Sequence, residues 1–259
     1  MENLTLTIVQ SHLHWHNPSK NRAMFEQILT GLNQPTDLVI LPEMFSTGFT
    51  MQPETCAEPM SGSTVAWMRD MAAQHNIVLT GSLVIEADGQ HFNRLIWMPP
   101  DGQFVSYDKR HLFRMANEHD HYQDGQSRLI TELKGWRICP LICYDLRFPV
   151  WSRNHPQVYD LLIYVANWPA KRRSAWQALL KARAIENLAY VVGVNRVGED
   201  GNGIAYNGDS VALTYLGEEI VSGAYQPLLT NVTLNYEVLT QYRASFPAYL
   251  DADSFEIGS

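Results

Sequence analysis

The stretch "DLLIYVANWPAKRRSAWQALLKARAIENLAYVVGVN", residues 160–195, places two apolar runs on either side of a segment with helical periodicity. The runs at 160–166 and 190–195 are short and rich in β-branched residues, as strands are. Between them, apolar residues recur with the spacing of one helix face, at Trp176, Leu179, Leu180, Ala184 and Leu188. A strand, a helix and a second strand in succession are typical of α/β proteins.

The same alternation of strand and helix extends over most of the chain. Further apolar runs of strand length occupy residues 4–10, 37–41, 77–84 and 136–143. Segments of helical character lie at 19–32 and 63–75. The strands are almost continuously apolar, which predicts burial on both faces. Short strands dominate after about residue 210, and no Gly/Ser-rich or Pro-rich linker divides the chain. We therefore expect one α/β domain over residues 1–259.

Composition and charge exclude several classes of protein. A chain that is 46% hydrophobic and 18% charged has the composition of a globular protein with a sizeable core. The net charge of -8 argues against nucleic acid as a main partner, because phosphate binding needs clustered positive charge. No apolar run approaches the roughly 18 to 20 residues of a membrane span. The three cysteines, an odd number without disulfide spacing, favour a reducing cytoplasm.

Three chemically distinctive residues follow predicted strands. Glu43 ends "DLVILPE", Lys109 follows the hydrophobic segment 104–107, and Cys143 ends "WRICPLIC". The carboxyl ends of strands in an open α/β sheet deliver ligand-binding groups. A carboxylate can take the proton of a thiol, and an ammonium both lowers the thiol pKa and stabilises an oxyanion. The backbone N–H of Tyr144 is a candidate second oxyanion donor.

Three motifs carry these residues: "LPEMFSTGF" (41–49), "YDKRHLF" (107–113) and "CYDLRFP" (143–149). Together and in this order, they resemble the carbon–nitrogen hydrolase (nitrilase) superfamily over nearly the whole chain. The resemblance implies a four-layer α-β-β-α sandwich that usually forms a homodimer. It also implies that Glu43 is the general base, that Lys109 stabilises the tetrahedral intermediates, and that Cys143 is the nucleophile that forms a thioester. No cofactor is expected, because the chemistry is acyl transfer alone.

The resemblance also implies a second acidic residue and a substrate class. Many members carry a second glutamate before a Gly-containing turn, and "NEHDHYQDG" (117–125) offers Glu118, with Asp120 as the alternative. We expect Glu118 to help position the substrate. The local pattern is most similar to the ω-amidase branch. That branch hydrolyses the terminal amide of 2-oxo acid amides, of the 2-oxoglutaramate or 2-oxosuccinamate type, to acid and ammonia.

Substrates of this kind carry a carboxylate, so an arginine is expected in the pocket. Arg147 is the candidate, and a structural pair with Asp145 or another acid is the equal alternative. Asn167 and Trp168, in "ANWP" (166–169), are expected to line the pocket, although core packing explains Trp168 at least as well. Some relatives carry substrate-gripping Phe and Thr residues in this segment, and "ANWPAKRR" lacks them.

Other functions remain as alternatives. Histidines cluster at His111, His119 and His121 and in "HLHWH" (12–16), but no cysteine or acidic partner stands at a recognised metal-ligand spacing, so no metal is expected. A non-catalytic scaffold would most simply have lost one of the three catalytic residue types, and all three are present. Nitrile hydrolysis, N-carbamoyl amide hydrolysis and glutamine-fed amide transfer are the rival enzyme activities.

Overall fold

The computed structural model describes residues 1–255, which form two six-stranded sheets, a two-stranded ribbon and the helices that flank the sheets. The strands are β1 (Leu4–Gln10), β2 (Leu38–Ile40), β3 (Val78–Ala87), β4 (Gln90–Met98), β5 (Val105–Asp108), β6 (Thr131–Leu133), β7 (Trp136–Ile142), β8 (Leu161–Ala166), β9 (Tyr190–Asn195), β10 (Val197–Glu199), β11 (Ala205–Asn207), β12 (Val211–Leu213), β13 (Glu219–Ser222) and β14 (Leu228–Leu234). The helices are α1 (Pro18–Thr30), α2 (Pro53–Cys56), α3 (Ser63–His75), α4 (Glu118–His121), α5 (Pro149–Ser152), α6 (Arg173–Asn187) and α7 (Tyr236–Ser245).

Both sheets are mixed, with parallel strands at their centres. The first has the order β14-β1-β2-β3-β4-β5, and the second has the order β13-β12-β9-β8-β7-β6. Strands β1, β2 and β3 are parallel in the first sheet, as β7, β8 and β9 are in the second. Parallel strands bring their carboxyl ends to the same edge of a sheet, so each sheet presents one such edge for a site.

The sheets pack against each other through one apolar core. This core combines residues of the first sheet, such as Leu6, Ile40 and Trp97, with residues of the second, such as Ile138 and Ile163. Each of these five side chains is almost completely shielded from solvent. Because both sheets contribute to a single cluster, neither buries its inner face without the other.

The outer faces of the sheets are covered by helices. Phe25 of α1 and Met68 of α3 join the cluster on the outside of the first sheet. On the second sheet, α6 approaches so closely that a Cβ added to Gly193 would lie 2.7 Å from Trp176 and Leu180. The result is the expected four-layer α-β-β-α sandwich. Residues 256–259 of the expected domain lie outside the described residues.

Strand and helix positions agree with the sequence patterns in most places, and strand β4 and helix α7 are among the elements that were missed. Strand β4 lacks a clear apolar alternation in its partly exposed first half. Helix α7 stands where only short strands were expected, and that expectation was wrong for residues 236–245. Its buried residues are Leu239 and Arg243, so apolar periodicity could not reveal it. None of the helices among residues 1–255 is long and apolar enough to cross a membrane.

Candidate active site

The three residues singled out from the sequence lie together where strands of both sheets end. Glu43 follows β2, Lys109 directly follows β5, and Cys143 directly follows β7. Glu43 and Lys109 are completely buried, and Cys143 is 8% exposed. Buried charges need partners, because an isolated ion is strongly destabilised away from water. The contacts of Lys109 provide them.

Lys109 is held between two buried carboxylates. Its Nζ donates to Glu43 Oε1 at 2.9 Å and to both carboxylate oxygens of Glu118 at 2.9 Å. Burial alone would lower the pKa of Lys109, but Glu118 and Glu43 outweigh burial and raise it. The lysine therefore stays an ammonium at physiological pH. Burial raises the pKa of Glu118, Lys109 opposes that shift, and the neighbouring Glu43 reinforces it.

The choice between Glu118 and Asp120 is decided by where each side chain lies. Glu118 begins α4, is completely buried, and also accepts a hydrogen bond from Phe113 N–H. The Asp120 side chain is 62% exposed and lies 3.5 Å from His119. Glu118, and not Asp120, is therefore the second acidic residue of the cluster.

Cys143 occupies a constrained turn. Its φ of 42° lies in the left-handed region, which is unfavourable for a residue with a Cβ. The turn is fixed by Asp145, whose Oδ2 accepts from Ile142 N–H at 3.0 Å and from the Tyr107 hydroxyl at 2.7 Å. Asp145 Oδ1 accepts from the backbone N–H and the ring Nδ1–H of His111, at 3.0 and 2.8 Å. The motifs around Lys109 and Cys143 are thus joined by one buried carboxylate.

The Cys143 thiol is protonated at neutral pH in this environment. Burial raises its pKa most, Glu43 raises it further, and Lys109 only partly opposes them. The sequence suggested that a nearby ammonium would lower the thiol pKa; Lys109 acts in that direction but is outweighed. A nucleophilic thiolate must therefore form by proton transfer to a neighbouring base. The adjacent Glu43 carboxylate is suited to accept that proton.

Glu43 itself is held by two asparagines. Asn167 directly follows β8; its backbone N–H donates to Glu43 Oε2 at 2.8 Å and its Nδ2 donates to the Glu43 carbonyl at 2.6 Å. Asn93, on β4, donates from Nδ2 to Glu43 Oε1 at 2.8 Å. Asn167 was expected only as a lining residue. Asn93 was not anticipated, because nothing in "QHFNRLIWM" marks it as functional.

A cavity of about 230 Å³ opens above Cys143 and Lys109. Its walls are largely aromatic and apolar, with Phe49, Met51, Phe113, Trp168 and Tyr206 among the lining residues. The ribbon β10–β11 and its turn contribute one wall, which includes Asp200 and Tyr206. A cavity of this size suits a small substrate.

The cavity carries an excess of positive charge at its rim. Arg147, Lys171 and Arg172 line it together with a single acidic side chain, Asp200. Asp200 is already engaged, because its carboxylate accepts from Asn202 N–H, Ile204 N–H and the Tyr206 hydroxyl. The cations at the rim are therefore available to an anionic ligand.

Arg147 does not pair with Asp145, whose two carboxylate oxygens accept the hydrogen bonds described above. Its guanidinium lies over the Trp168 ring, 5.1 Å from the ring centroid. Trp168 is 4% exposed and also packs near Trp176, with 5.5 Å between ring centroids. Trp168 therefore combines core packing with a place in the cavity wall, where it supports Arg147.

The histidine clusters do not assemble into a metal centre. Within residues 1–255, no group of three or more His, Cys, Asp or Glu side chains is arranged to hold a metal ion. His111 is used instead in the turn, with its ring stacked on Phe148 at 3.7 Å between centroids. All three cysteines are free thiols.

The fold and the site together define an enzyme of the nitrilase-type class, with an α-β-β-α sandwich and a cysteine beside a buried Glu–Lys–Glu cluster. The sequence model of the carbon-nitrogen hydrolase family matches residues 5–244, and the chain belongs to this family. Its members are hydrolases that act on carbon–nitrogen bonds.

Relatives with assigned names share almost the full length of the chain. The chain is 48% identical to Omega-amidase YafV of Escherichia coli (strain K12), over 99% of this chain and 100% of that protein. It is 28% identical to 2-oxoglutaramate amidase of Bacillus subtilis (strain 168), over 95% of this chain and 96% of that protein. The solved structure of XC1258 from Xanthomonas campestris, a CN-hydrolase superfamily protein with an arsenic adduct in the active site, is 46% identical, covers 100% of both chains and superposes with a TM-score of 0.97.

Proposed function

We propose that this protein is a cysteine-dependent ω-amidase that hydrolyses the terminal amide of a small carboxylate-bearing substrate. The observation that carries the proposal is the position of Cys143 at the floor of a small cavity, beside the buried Glu43–Lys109 pair and beneath a rim of cations that form no ion pair with any acidic side chain within residues 1–255. The names of two relatives, an Omega-amidase and a 2-oxoglutaramate amidase, agree with this class of substrate. We take 2-oxoglutaramate and 2-oxosuccinamate as the first candidates.

In the proposed acylation step, Glu43 takes the Cys143 proton as the sulfur attacks the amide carbonyl. The carbonyl electron pair moves to oxygen, and the Lys109 ammonium and the Tyr144 N–H hold that oxyanion. Tyr144 is the second residue of the turn that begins at Cys143, where N–H groups have no partner within the turn. Glu43 then returns the proton to the leaving nitrogen, and ammonia departs as the thioester forms.

In the proposed deacylation step, Glu43 takes a proton from water, which attacks the thioester carbonyl and releases the acid and the thiol. Acyl transfer through a thioester needs no cofactor. Glu118 was expected to help position the substrate. Its contacts favour a different part in the mechanism, because both of its oxygens bind Lys109 Nζ and it lies outside the cavity lining. We assign it to holding the ammonium in place.

The rim supports a substrate that carries its negative charge at the end opposite the amide. With the amide carbonyl at Cys143, the far end of a short substrate reaches the rim formed by Arg147, Lys171 and Arg172. A guanidinium binds a carboxylate through two parallel hydrogen bonds, so Arg147 is our candidate for that contact. A nitrile or an N-carbamoyl amide would use the same nucleophile. Neither explains the cationic rim unless it also carries a carboxylate.

The test is a measurement of ammonia release from a panel of amides. The panel contains 2-oxoglutaramate, 2-oxosuccinamate, a neutral aliphatic amide of the same length, an N-carbamoyl amino acid and a nitrile. We expect turnover of the first two, and none by Cys143→Ala. Intact-mass analysis after a brief incubation with substrate should show an acyl adduct on Cys143. An adduct on Cys56, or preference for the nitrile or carbamoyl compound, would contradict the proposal.

The assembly and location of the protein are further proposals. By analogy with the family, we propose a homodimer to which α6 and the segment after Pro149 contribute. Light scattering of the purified protein tests it. A reducing cytoplasm is proposed from the use of three unpaired cysteines. We also propose that the whole chain, 1–259, folds as one domain.

A further inference from the structure

Asn93 is a buried carboxamide inside the charged cluster. It lies on β4, it is completely shielded from solvent, and its backbone carbonyl accepts from Lys109 N–H at 3.0 Å. The strand pairing of β4 with β5 therefore places the side chain of Asn93 beside that of Lys109. Asn93 is not among the residues that line the cavity, so we do not expect it to touch the substrate.

The orientation of the Asn93 carboxamide is set by its neighbours. Nδ2 donates to Glu43 Oε1 at 2.8 Å and to Glu118 Oε1 at 3.4 Å. Carboxylate oxygens only accept hydrogen bonds, so the amino end must face them. Among the described residues, no donor reaches Asn93 Oδ1, although it is buried. An unpaired buried acceptor is unfavourable, so the contacts of Nδ2, and not those of Oδ1, hold the carboxamide in this orientation.

The two oxygens of Glu43 are used differently. Oε1 accepts two hydrogen bonds, from Lys109 Nζ at 2.9 Å and from Asn93 Nδ2 at 2.8 Å. Oε2 accepts one, from Asn167 N–H at 2.8 Å. A carboxylate oxygen has two lone pairs in the carboxylate plane. Both lone pairs of Oε1 are occupied, and one of Oε2 remains for a proton.

From these contacts we infer that Asn93 is a positioning residue. Its hydrogen bond occupies a lone pair of Glu43 Oε1 and so makes Oε2 the atom that carries the proton during catalysis. The inference rests on the proposed function, in which Glu43 is the base. In acylation the S–H bond of Cys143 breaks and an O–H bond forms at Oε2, while the sulfur electron pair forms the C–S bond. The same proton then moves from Oε2 to the leaving nitrogen as the C–N bond breaks, so ammonia leaves and Glu43 is again a carboxylate.

The second contact of Asn93 gives it a further effect on the cluster. One Nδ2 hydrogen faces each of the two carboxylates, so the carboxamide lies between Glu43 and Glu118 and donates to both. A hydrogen-bond donor favours the charged form of a carboxylate. Without it, Lys109 alone would balance two neighbouring negative charges. Loss of the donor therefore favours protonation of the cluster, and a protonated cluster cannot accept the thiol proton.

The test is Asn93→Leu, which removes the donor with little change in volume. We expect kcat on the preferred amide to fall by about 10-fold to 100-fold, part of what general acid–base catalysis contributes. KM should change by less than about threefold, because Asn93 does not line the cavity. The acid limb of the kcat/KM profile should move to higher pH. Asn93→Ser, which keeps one hydroxyl donor, should recover part of both effects.

A second measurement does not depend on the substrate. Alkylation of Cys143 by iodoacetamide, followed by mass spectrometry, requires the same proton transfer, and its acid limb should also move to higher pH in Asn93→Leu. If no amide is turned over, the proposed function fails while alkylation still tests Asn93. The control is Asn187→Leu, which removes a buried carboxamide that donates to Arg183 O at 3.0 Å, away from the catalytic cluster.

Three results would overturn the inference. The first is wild-type kcat and an unshifted alkylation profile in a folded Asn93→Leu protein. The second is an effect confined to KM. The third is the same shift of the acid limb in Asn187→Leu, because that would make it a general result of lost stability. If Asn93→Leu does not fold, the same comparisons apply to Asn93→Ser.

Discussion

Arg147 differs from the arginines that form ion pairs within the protein, and the difference bears on substrate binding. Arg94 and Arg173 form two-pronged pairs with Asp108 and Asp209, as structural arginines do. Arg147, in contrast, has no carboxylate within ion-pair distance among the described residues and rests on the face of Trp168. An arginine oriented by an aromatic ring, with its donors directed to a cavity, is suited to bind an anionic ligand.

We therefore expect Arg147→Met to impair the hydrolysis of carboxylate-bearing amides selectively. A charge-assisted hydrogen bond contributes about 1.5–3 kcal/mol, so kcat/KM should fall by about 10-fold to 100-fold for 2-oxoglutaramate. Methionine keeps the contact with Trp168, and a neutral amide of the same length should be turned over as before. The measurement is kcat/KM for both amides, from steady-state kinetics.

The control for Arg147 is Arg114→Met, because Arg114 is an exposed arginine near the site that does not line the cavity. It should leave the kinetics of both amides unchanged. An equal loss on the neutral and the charged amide in Arg147→Met would mean that the arginine shapes the cavity instead of binding the carboxylate.

Helix α7 is attached to the second sheet by a buried arginine as well as by apolar contacts such as that of Leu239. Arg243 donates to Asp160 Oδ1 at 2.6 Å, to Leu188 O at 2.7 Å and to Tyr159 O at 3.0 Å. Burial would raise the pKa of Asp160, but hydrogen bonds from Arg137 and Arg243 outweigh burial and lower it. Asp160 is therefore ionised in the folded protein, and α7 depends on that charge.

Arg243→Met should lower the free energy of unfolding by about 3 kcal/mol, which is near the lower end of the loss for a broken buried ion pair. The loss is at the lower end because Asp160 keeps its pair with Arg137. A carboxylate whose pKa is lowered by folding contributes its full stabilisation at pH values above its unfolded-state pKa of about 4. This stabilisation disappears as the pH falls through the pKa that the carboxylate has in the folded protein. The difference between wild type and variant should therefore narrow below about pH 4. Urea unfolding at a series of pH values measures it.

Lys181→Met is the control for this ion pair, because Lys181 and Glu219 pair at 3.1 Å with both side chains nearly half exposed. Such a surface pair contributes no more than about 1 kcal/mol. A loss in Arg243→Met no larger than in Lys181→Met would show that α7 is held by its apolar contacts instead.

Helix α7 and strand β4, which the sequence did not predict, lack the continuous apolar face of the elements that it did predict. Helices α3 and α6 and the central strands have apolar faces, and these were predicted nearly to the residue. Helix α7 buries a charge, so the periodicity that identifies amphipathic helices is weak there. Strand β4 is only partly buried over its first three residues, and the completely buried Asn93 follows them. Glu43, Lys109 and Cys143 could be found because unusual residue types follow apolar strands. Asn93 acts through a pairing between strands that sequence alone does not reveal.

In the molecule as a whole, both sheets share a single core, so we expect them to unfold together. Cys139 lies within β7, is completely buried, and belongs to the cluster to which both sheets contribute. Burial raises the pKa of Cys139 to about 12. In the folded protein this thiol is therefore unreactive, because it is protonated and because reagents cannot reach it. In an unfolded chain the thiol is exposed and has its ordinary pKa of about 8.5. Its reactivity therefore reports separation of the sheets.

We expect the described chain to unfold in one cooperative transition, as a single domain does. In a Cys56→Ser/Cys143→Ala protein, Cys139 is the one remaining cysteine. Its labelling by a chromogenic disulfide reagent at pH 8.5 should have the same urea midpoint as the loss of far-ultraviolet circular dichroism. Arg243→Met should move both midpoints together, because α7 and β7 belong to the same cooperative unit. Labelling at clearly lower urea than the loss of circular dichroism would mean that the sheets separate before they unfold, and that the sandwich consists of two units.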